Sequence, residues 1–273
     1  MLVLSMLEIK SLSKIYTANK KAVDDLSLSV APGEIYGFIG HNGAGKTTTL
    51  RCIAGIISFN AGSITVAGHD VLRDSVAAKK ALAFLPDNPD IYEFLKGDEY
   101  LKLIADLYGI PESKRLPLIS KYADAFEITG NLGSQISGYS HGMKQKLALV
   151  SAFMREPLLL ILDEPFVGLD PKAAYLMKGF LRELCDKGGA VFFSSHVLDV
   201  VEKLCDKIAI IKNGKLIEAG PTAEIKGKKS LETVFLELEG ESGENTPLPA
   251  SPPWGEENII SPPSEGGVGG GVV

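Results

Sequence analysis

The sequence predicts an α/β fold with a buried, parallel sheet. Two observations predict it. The runs Glu34-Ile35-Tyr36-Gly37-Phe38-Ile39, Leu158-Leu159-Leu160-Ile161-Leu162 and Ala190-Val191-Phe192-Phe193 are short and apolar, as strands covered on both faces are. Each is followed by sequence that can form a helix. The first of these strands also runs straight into Gly40-His41-Asn42-Gly43-Ala44-Gly45-Lys46-Thr47, which fits G-x-x-x-x-G-K-[ST], and Thr48 to Ala54 behind it can be a helix.

Strand, glycine loop and helix are the context that this motif needs to hold a phosphate. Gly40, Gly43 and Gly45 allow a tight turn that brings backbone N–H groups against an anion. The helix behind starts with unpaired N–H groups and a partial positive charge. Lys46 is placed to reach the outer phosphates of a nucleoside triphosphate, and the Thr47 hydroxyl to ligate Mg²⁺.

The remaining elements follow in order. Leu7 to Leu12 and Val23 to Val30 alternate apolar and polar, and Gly62 to Gly68 reads as another strand between turns, so the first 70 residues mix antiparallel β structure with the loop strand. Ala81 to Leu85 is apolar and ends at Pro86. Tyr100, Leu103, Ile104 and Leu107 have helical spacing within 97–109, and 111–128 reads as one or two helices, so 87–155 is expected to be a mostly helical insert. Pro171 to Lys187 is a helix with Pro at its first position and Gly188-Gly189 after its end. A further helix starts near Leu198, and Lys207–Lys212 and Lys215–Ala219 form a hairpin about Asn213-Gly214. The expected domain is 1–240; the stretch 241–273 is rich in Pro, Gly, Ser and Glu, and is expected to be disordered. Translation is expected to start at Met1 or at Met6, which strand-like sequence follows at once.

Composition narrows the function. With 28 Lys and Arg against 34 Asp and Glu, the net charge of −6 argues against broad nucleic-acid binding. The three cysteines, Cys52, Cys185 and Cys205, make no C-x-x-C pair and suggest reduced thiols rather than zinc or a disulfide framework. No apolar run is long enough to span a membrane.

The strand at 158–162 ends in Asp163-Glu164-Pro165. An Asp there, beside a phosphate loop, can hold Mg²⁺ directly or through water, and Glu164 can polarise a water for attack on a γ-phosphate. Two carboxylates at a strand end are otherwise often just solvated.

With these residues in place the chain resembles the ATP-binding subunit of an ABC transporter over about 6–239. Gly168-Leu169-Asp170-Pro171 resembles the family's D-loop, Ser194-Ser195-His196 its H-loop, and Ile136-Ser137-Gly138-Tyr139-Ser140-His141-Gly142-Met143-Lys144-Gln145 its signature segment. The resemblance implies a P-loop NTPase with a RecA-like α/β core, an antiparallel β subdomain and a helical subdomain. It implies ATP and Mg²⁺ bound by Gly40, His41, Asn42, Gly43, Ala44, Gly45, Lys46, Thr47 and Thr48, with Tyr16 stacked on adenine and Thr47 and Asp163 at the metal. Glu164, His196 and Lys46 are the implied catalytic residues. The resemblance further implies that Ser140, which also suits a helix N-cap, and Gly142 face the nucleotide held by a second subunit, and that Asp170 bridges the two subunits there. Two departures stand out. His141 and Met143 replace a Gly and a Gln of the usual signature, and Asp87 follows Phe84-Leu85-Pro86 where the family has Gln. Asp87 in that place contacts either Mg²⁺, as a candidate metal ligand, or only the transmembrane partner, with Asn88 as an alternative carrier of the role.

The resemblance implies an ATPase that works as a homo- or heterodimer, bound peripherally at the inner face of the membrane to a separately encoded permease. The signature and Leu231-Glu232-Thr233-Val234-Phe235, similar to the C-terminal helix of exporter-type subunits, favour export. The alternatives are a soluble, non-transport ABC ATPase and a regulatory subunit that hydrolyses little.

Overall fold

The computed structural model describes residues 5–17, 20–89 and 91–240. The stretch 241–273, expected to be disordered, lies outside the described residues.

The core of the fold is a six-stranded sheet. It contains β3 (Ile35–Ile39), β6 (Leu82–Leu85), β7 (Leu159–Asp163), β8 (Ala190–Ser195), β9 (Lys207–Lys212) and β10 (Lys215–Pro221). Their order is β10-β9-β3-β8-β7-β6, and every pairing is parallel except the β9–β10 hairpin. Asn213 and Gly214 turn that hairpin with positive φ, 49° and 80°, as the Asn-Gly pair predicts.

The apolar runs are continuous because both faces of this sheet are covered. Ile35, Leu160, Leu162, Val191 and Phe193 belong to one core cluster, and Tyr36, Phe38, Leu159, Ile161, Ala190 and Phe192 to the other. The alternation is the period of two that a strand imposes. On the second side lie α1 (Lys46–Ile53) and a four-stranded sheet, order β2-β1-β4-β5, made of β1 (Leu7–Thr17), β2 (Lys20–Val30), β4 (Ala61–Val66) and β5 (His69–Asp70). All of its pairings are antiparallel.

On the first side lie α3 (Gly97–Leu107), α4 (Glu112–Ala125), α5 (His141–Phe153) and α6 (Pro171–Asp186). Tyr122, Phe126, Phe153 and Phe180 pack there with ring centroids 5.0 to 6.4 Å apart. The stretch 111–128 holds one α-helix, which accommodates Pro117 on an exposed position. After α7 (Leu198–Leu204), a short α8 (Thr222–Lys226) leads to α9 (Leu231–Gly240). Glu202 of α7 accepts the Leu231 N–H at 2.9 Å and so ties down the start of α9.

Several features differ from the sequence expectation; β2 starts at Lys20 rather than Val23, and β5 and α8 are additional. The first strand runs on to Thr17, because register shifts between Ile9 and Thr17 break its alternation without ending its pairing. The α2 helix (Ser75–Ala81) buries only Ala78, so it has no apolar stripe to announce it. The hairpin extends to Pro221.

Candidate nucleotide site

The parallel strands bring three loops to one edge. β3 ends at the 40–47 loop, β7 at Asp163 and Glu164, and β8 at Ser195 and His196, with β8 lying between the other two. This is the carboxyl edge of the sheet, where open α/β folds bind ligands.

A cleft of about 680 Å³ opens here. It is lined by Tyr16, His41, Asn42, Gly43, Gly45, Lys46, Thr47, Thr48, Asp87, Asp163 and Glu164, together with Thr17, Lys20, Lys21, Ala22 and Asn213. The loop is a close-fitting cradle. Gly45 has φ 114°, and a Cβ on it would sit 2.3 Å from the Ala22 carbonyl oxygen. Gly40 and Ala44 are buried beneath the cleft: Gly40 accepts from Lys46 Nζ at 2.6 Å, and Ala44 accepts the Gly214 N–H at 2.8 Å.

Lys46 is almost fully buried, and its ammonium also lies 3.7 Å from Glu164 Oε1. The other oxygen of Glu164, Oε2, contacts His196 Nδ1 at 2.9 Å and accepts the His196 N–H at 3.2 Å. Glu164 adopts φ 48°, a left-handed conformation that costs a residue with a side chain and is found at sites where geometry matters. Asp163 is 2% exposed.

The donor set suits MgATP. The first turn of α1 offers unpaired N–H groups and Lys46 a cation. Among the described residues no three His, Cys, Asp or Glu gather as a metal cluster. Mg²⁺ needs none, because it binds through one or two carboxylates with phosphate oxygens and water, and Thr47 and Asp163 line the same cleft. Tyr16 is half exposed at the rim, with Lys14 Nζ 5.1 Å from its ring centroid. Asp87 reaches the cleft; Asn88 is not among its lining residues.

Ser140, Gly142 and Asp170 stand apart from this cleft and form a second surface. Ser140 caps α5 by accepting the Met143 N–H at 3.3 Å. Asp170 caps α6 by accepting the Ala173 N–H at 2.8 Å and pairs with Lys146 at 2.6 Å. Those contacts, Lys146 first, hold the Asp170 carboxyl below its usual pKa. The His141 ring packs on Gly168: a Cβ there would lie 3.1 Å from it. The start of α5 and the 168–170 loop are thus fastened to each other.

Sequence reasoning missed Thr17, Lys20, Lys21, Ala22 and Asn213 as cleft residues. The Lys20-Lys21 doublet just after Tyr16 was the available signal; Asn213 carried only its turn role.

A model of the ABC transporter family matches residues 23–167. The chain belongs to the ABC transporter family. The ABC-type transporter ATP-binding protein EcsA of Bacillus subtilis (strain 168) is 36% identical over 243 residues, spanning 86% of this chain and 97% of that protein. A solved ATP-binding subunit of an ABC transporter superposes with a TM-score of 0.83 at 34% identity, over 86% of this chain and all of that one. The dimeric post-hydrolysis state of an ATP-binding cassette, bound to ADP and Pi, shares the fold with a TM-score of 0.72 at 19% identity, over 80% of this chain and 99% of that one. The fold is accordingly that of an ABC ATP-binding subunit, a P-loop NTPase with parallel and antiparallel sheets.

Proposed function

We propose that this ABC subunit binds MgATP in the 40–47 cleft and hydrolyses it to drive a separate permease, in the direction of export. The observation that carries the reading is the convergence of Lys46, Thr47, Asp163, Glu164 and His196 at one sheet edge.

Lys46 and the start of α1 hold the phosphates, and Tyr16 takes the adenine. Thr47 and Asp163 would hold Mg²⁺, with Asp87 lining the same cleft. Mg²⁺ there would neutralise charge on the phosphate oxygens. Glu164 accepts the proton of the attacking water, and His196 orients Glu164 through its Nδ1 contact and reaches toward the γ-phosphate. Each chain carries one cradle and one separate surface built from Ser140, Gly142 and Asp170. A twofold dimer would pair each cradle with the partner's surface and complete two sites.

No helix among the described residues is long and apolar enough to cross a membrane, so on this reading translocation belongs to the permease, and the chain sits at the inner face of the membrane through that contact. A groove lined by Phe84, Leu85, Pro86, Ile91, Tyr108 and Arg155, next to the Asp87 turn, supports a permease contact there. Asp87 in the cleft favours a second reading, a regulatory subunit that binds ATP and turns it over slowly; steady-state ATPase rates with the permease present separate the two.

Calorimetric titration of ATP into the wild type and Lys46→Ala tests the assignment. Weakened binding in the variant is expected, and unchanged affinity would refute the loop as the nucleotide site.

A further inference from the structure

Asp163 and Glu164 are both held by one side chain of the neighbouring strand. In the parallel register of β7 and β8, Asp163 lies opposite Ser194. The Ser194 hydroxyl donates to Asp163 Oδ1 at 2.5 Å. The same Oγ accepts the Glu164 N–H at 3.2 Å, and the Ser194 carbonyl accepts that N–H at 3.2 Å as well. Ser194 is 0% exposed and Asp163 2%.

We propose that Ser194 is a positioning residue of the ATPase site, setting Asp163 for Mg²⁺ and anchoring the left-handed turn that presents Glu164. The inference rests on the MgATP reading above. A buried serine could instead satisfy its hydroxyl on a main-chain carbonyl, as Ser151 does on Ala148 at 2.8 Å. Ser194 instead spends its only proton on a carboxylate. A hydrogen bond from a neutral donor to a buried anion is short and strong, and it fixes the rotamer of the acid. With Oδ1 engaged, Oδ2 is the oxygen left to a metal. Partners of metal-binding carboxylates matter in this way because they orient the ligand before the ion arrives. The Glu164 backbone bond extends the effect: a residue with φ 48° persists only where its surroundings hold it.

The test separates metal binding from nucleotide binding and needs no turnover. A fluorescent ATP analogue is titrated into the full chain without metal, and Mg²⁺ is then titrated into the complex, for the wild type, Ser194→Ala and Ser194→Thr. In Ser194→Ala the half-saturating Mg²⁺ concentration should rise about tenfold or more, while metal-free affinity stays within about twofold. Ser194→Thr keeps the donor and should restore the wild-type Mg²⁺ curve. Should its extra methyl group prevent folding, Ser194→Cys, a weak donor of similar size, should fall between wild type and alanine. Unchanged Mg²⁺ dependence in Ser194→Ala overturns the inference and leaves the ATP reading standing. Equal loss of metal-free binding also overturns it, because the role is then merely structural. A wild type that binds no nucleotide overturns both.

Discussion

Glu164→Gln removes one charge from the site and leaves its shape. Glu164 Oε1 is 3.7 Å from the Lys46 ammonium, and Oε2 is engaged by both His196 Nδ1 and the His196 N–H. At an effective dielectric constant near 20, attraction across 3.7 Å is about 4 kcal/mol before desolvation. The glutamine loses that attraction, so Lys46 is released to the phosphates and ATP affinity should hold or rise. The amide cannot accept a proton from water. Loss of a general base lowers turnover about 10²- to 10⁴-fold, or roughly 3–5 kcal/mol of barrier. Phosphate release measured at saturating ATP, with calorimetric ATP affinity on the same sample, reads both halves of the prediction. Full turnover in the variant would rule out Glu164 as the base. A large loss of affinity with little loss of rate would show that its charge serves binding instead.

Other outcomes follow from the same geometry. Gly45→Ala places a Cβ 2.3 Å from the Ala22 carbonyl oxygen on a backbone with φ 114°; it should cost about 1–3 kcal/mol of stability for the backbone alone and abolish nucleotide binding, read by denaturant unfolding and ATP titration. Burial pushes the Cys52 thiol up to about 11 and Cys185 to about 12, and raises Cys205 well above its ordinary value. All three should therefore resist alkylation at pH 8 until the protein unfolds; rapid labelling of the native chain would contradict the packing. The sign for stability is set by the same shifts. The folded state keeps these protons longer than the unfolded one, so their contribution is full below the unfolded thiol pKa and is lost as pH rises through about 11 to 12. Urea midpoints from pH 8 upward should fall accordingly.

Much of this site was legible because its residues are contiguous. The 40–47 loop holds its lysine, threonine and glycines in one stretch, and apolar runs covered on both faces announce β3, β7 and β8 directly. What the sequence hid depends on register or on tertiary approach. Ser194 meets Asp163 only because β7 and β8 pair in one particular register. Lys146, in the second turn of α5, meets Asp170 at the start of α6, 24 residues apart in the sequence, and no local pattern marks the pair. Lys20, Lys21 and Asn213 enter the cleft because the four-stranded sheet and the β9–β10 turn close over the loop. Helix α2 escaped for the opposite reason: it buries too little to leave a periodic trace.

If the 40–47 cradle is half of a site and Ser140 of a second subunit supplies the rest, MgATP must draw two subunits together. Sedimentation velocity of Glu164→Gln, with and without MgATP, tests it most directly. A shift from monomer to dimer is expected on adding MgATP, abolished when Ser140→Arg is combined with Glu164→Gln. A protein that binds MgATP tightly and stays monomeric at high concentration, or whose dimer is indifferent to Ser140→Arg, would contradict it.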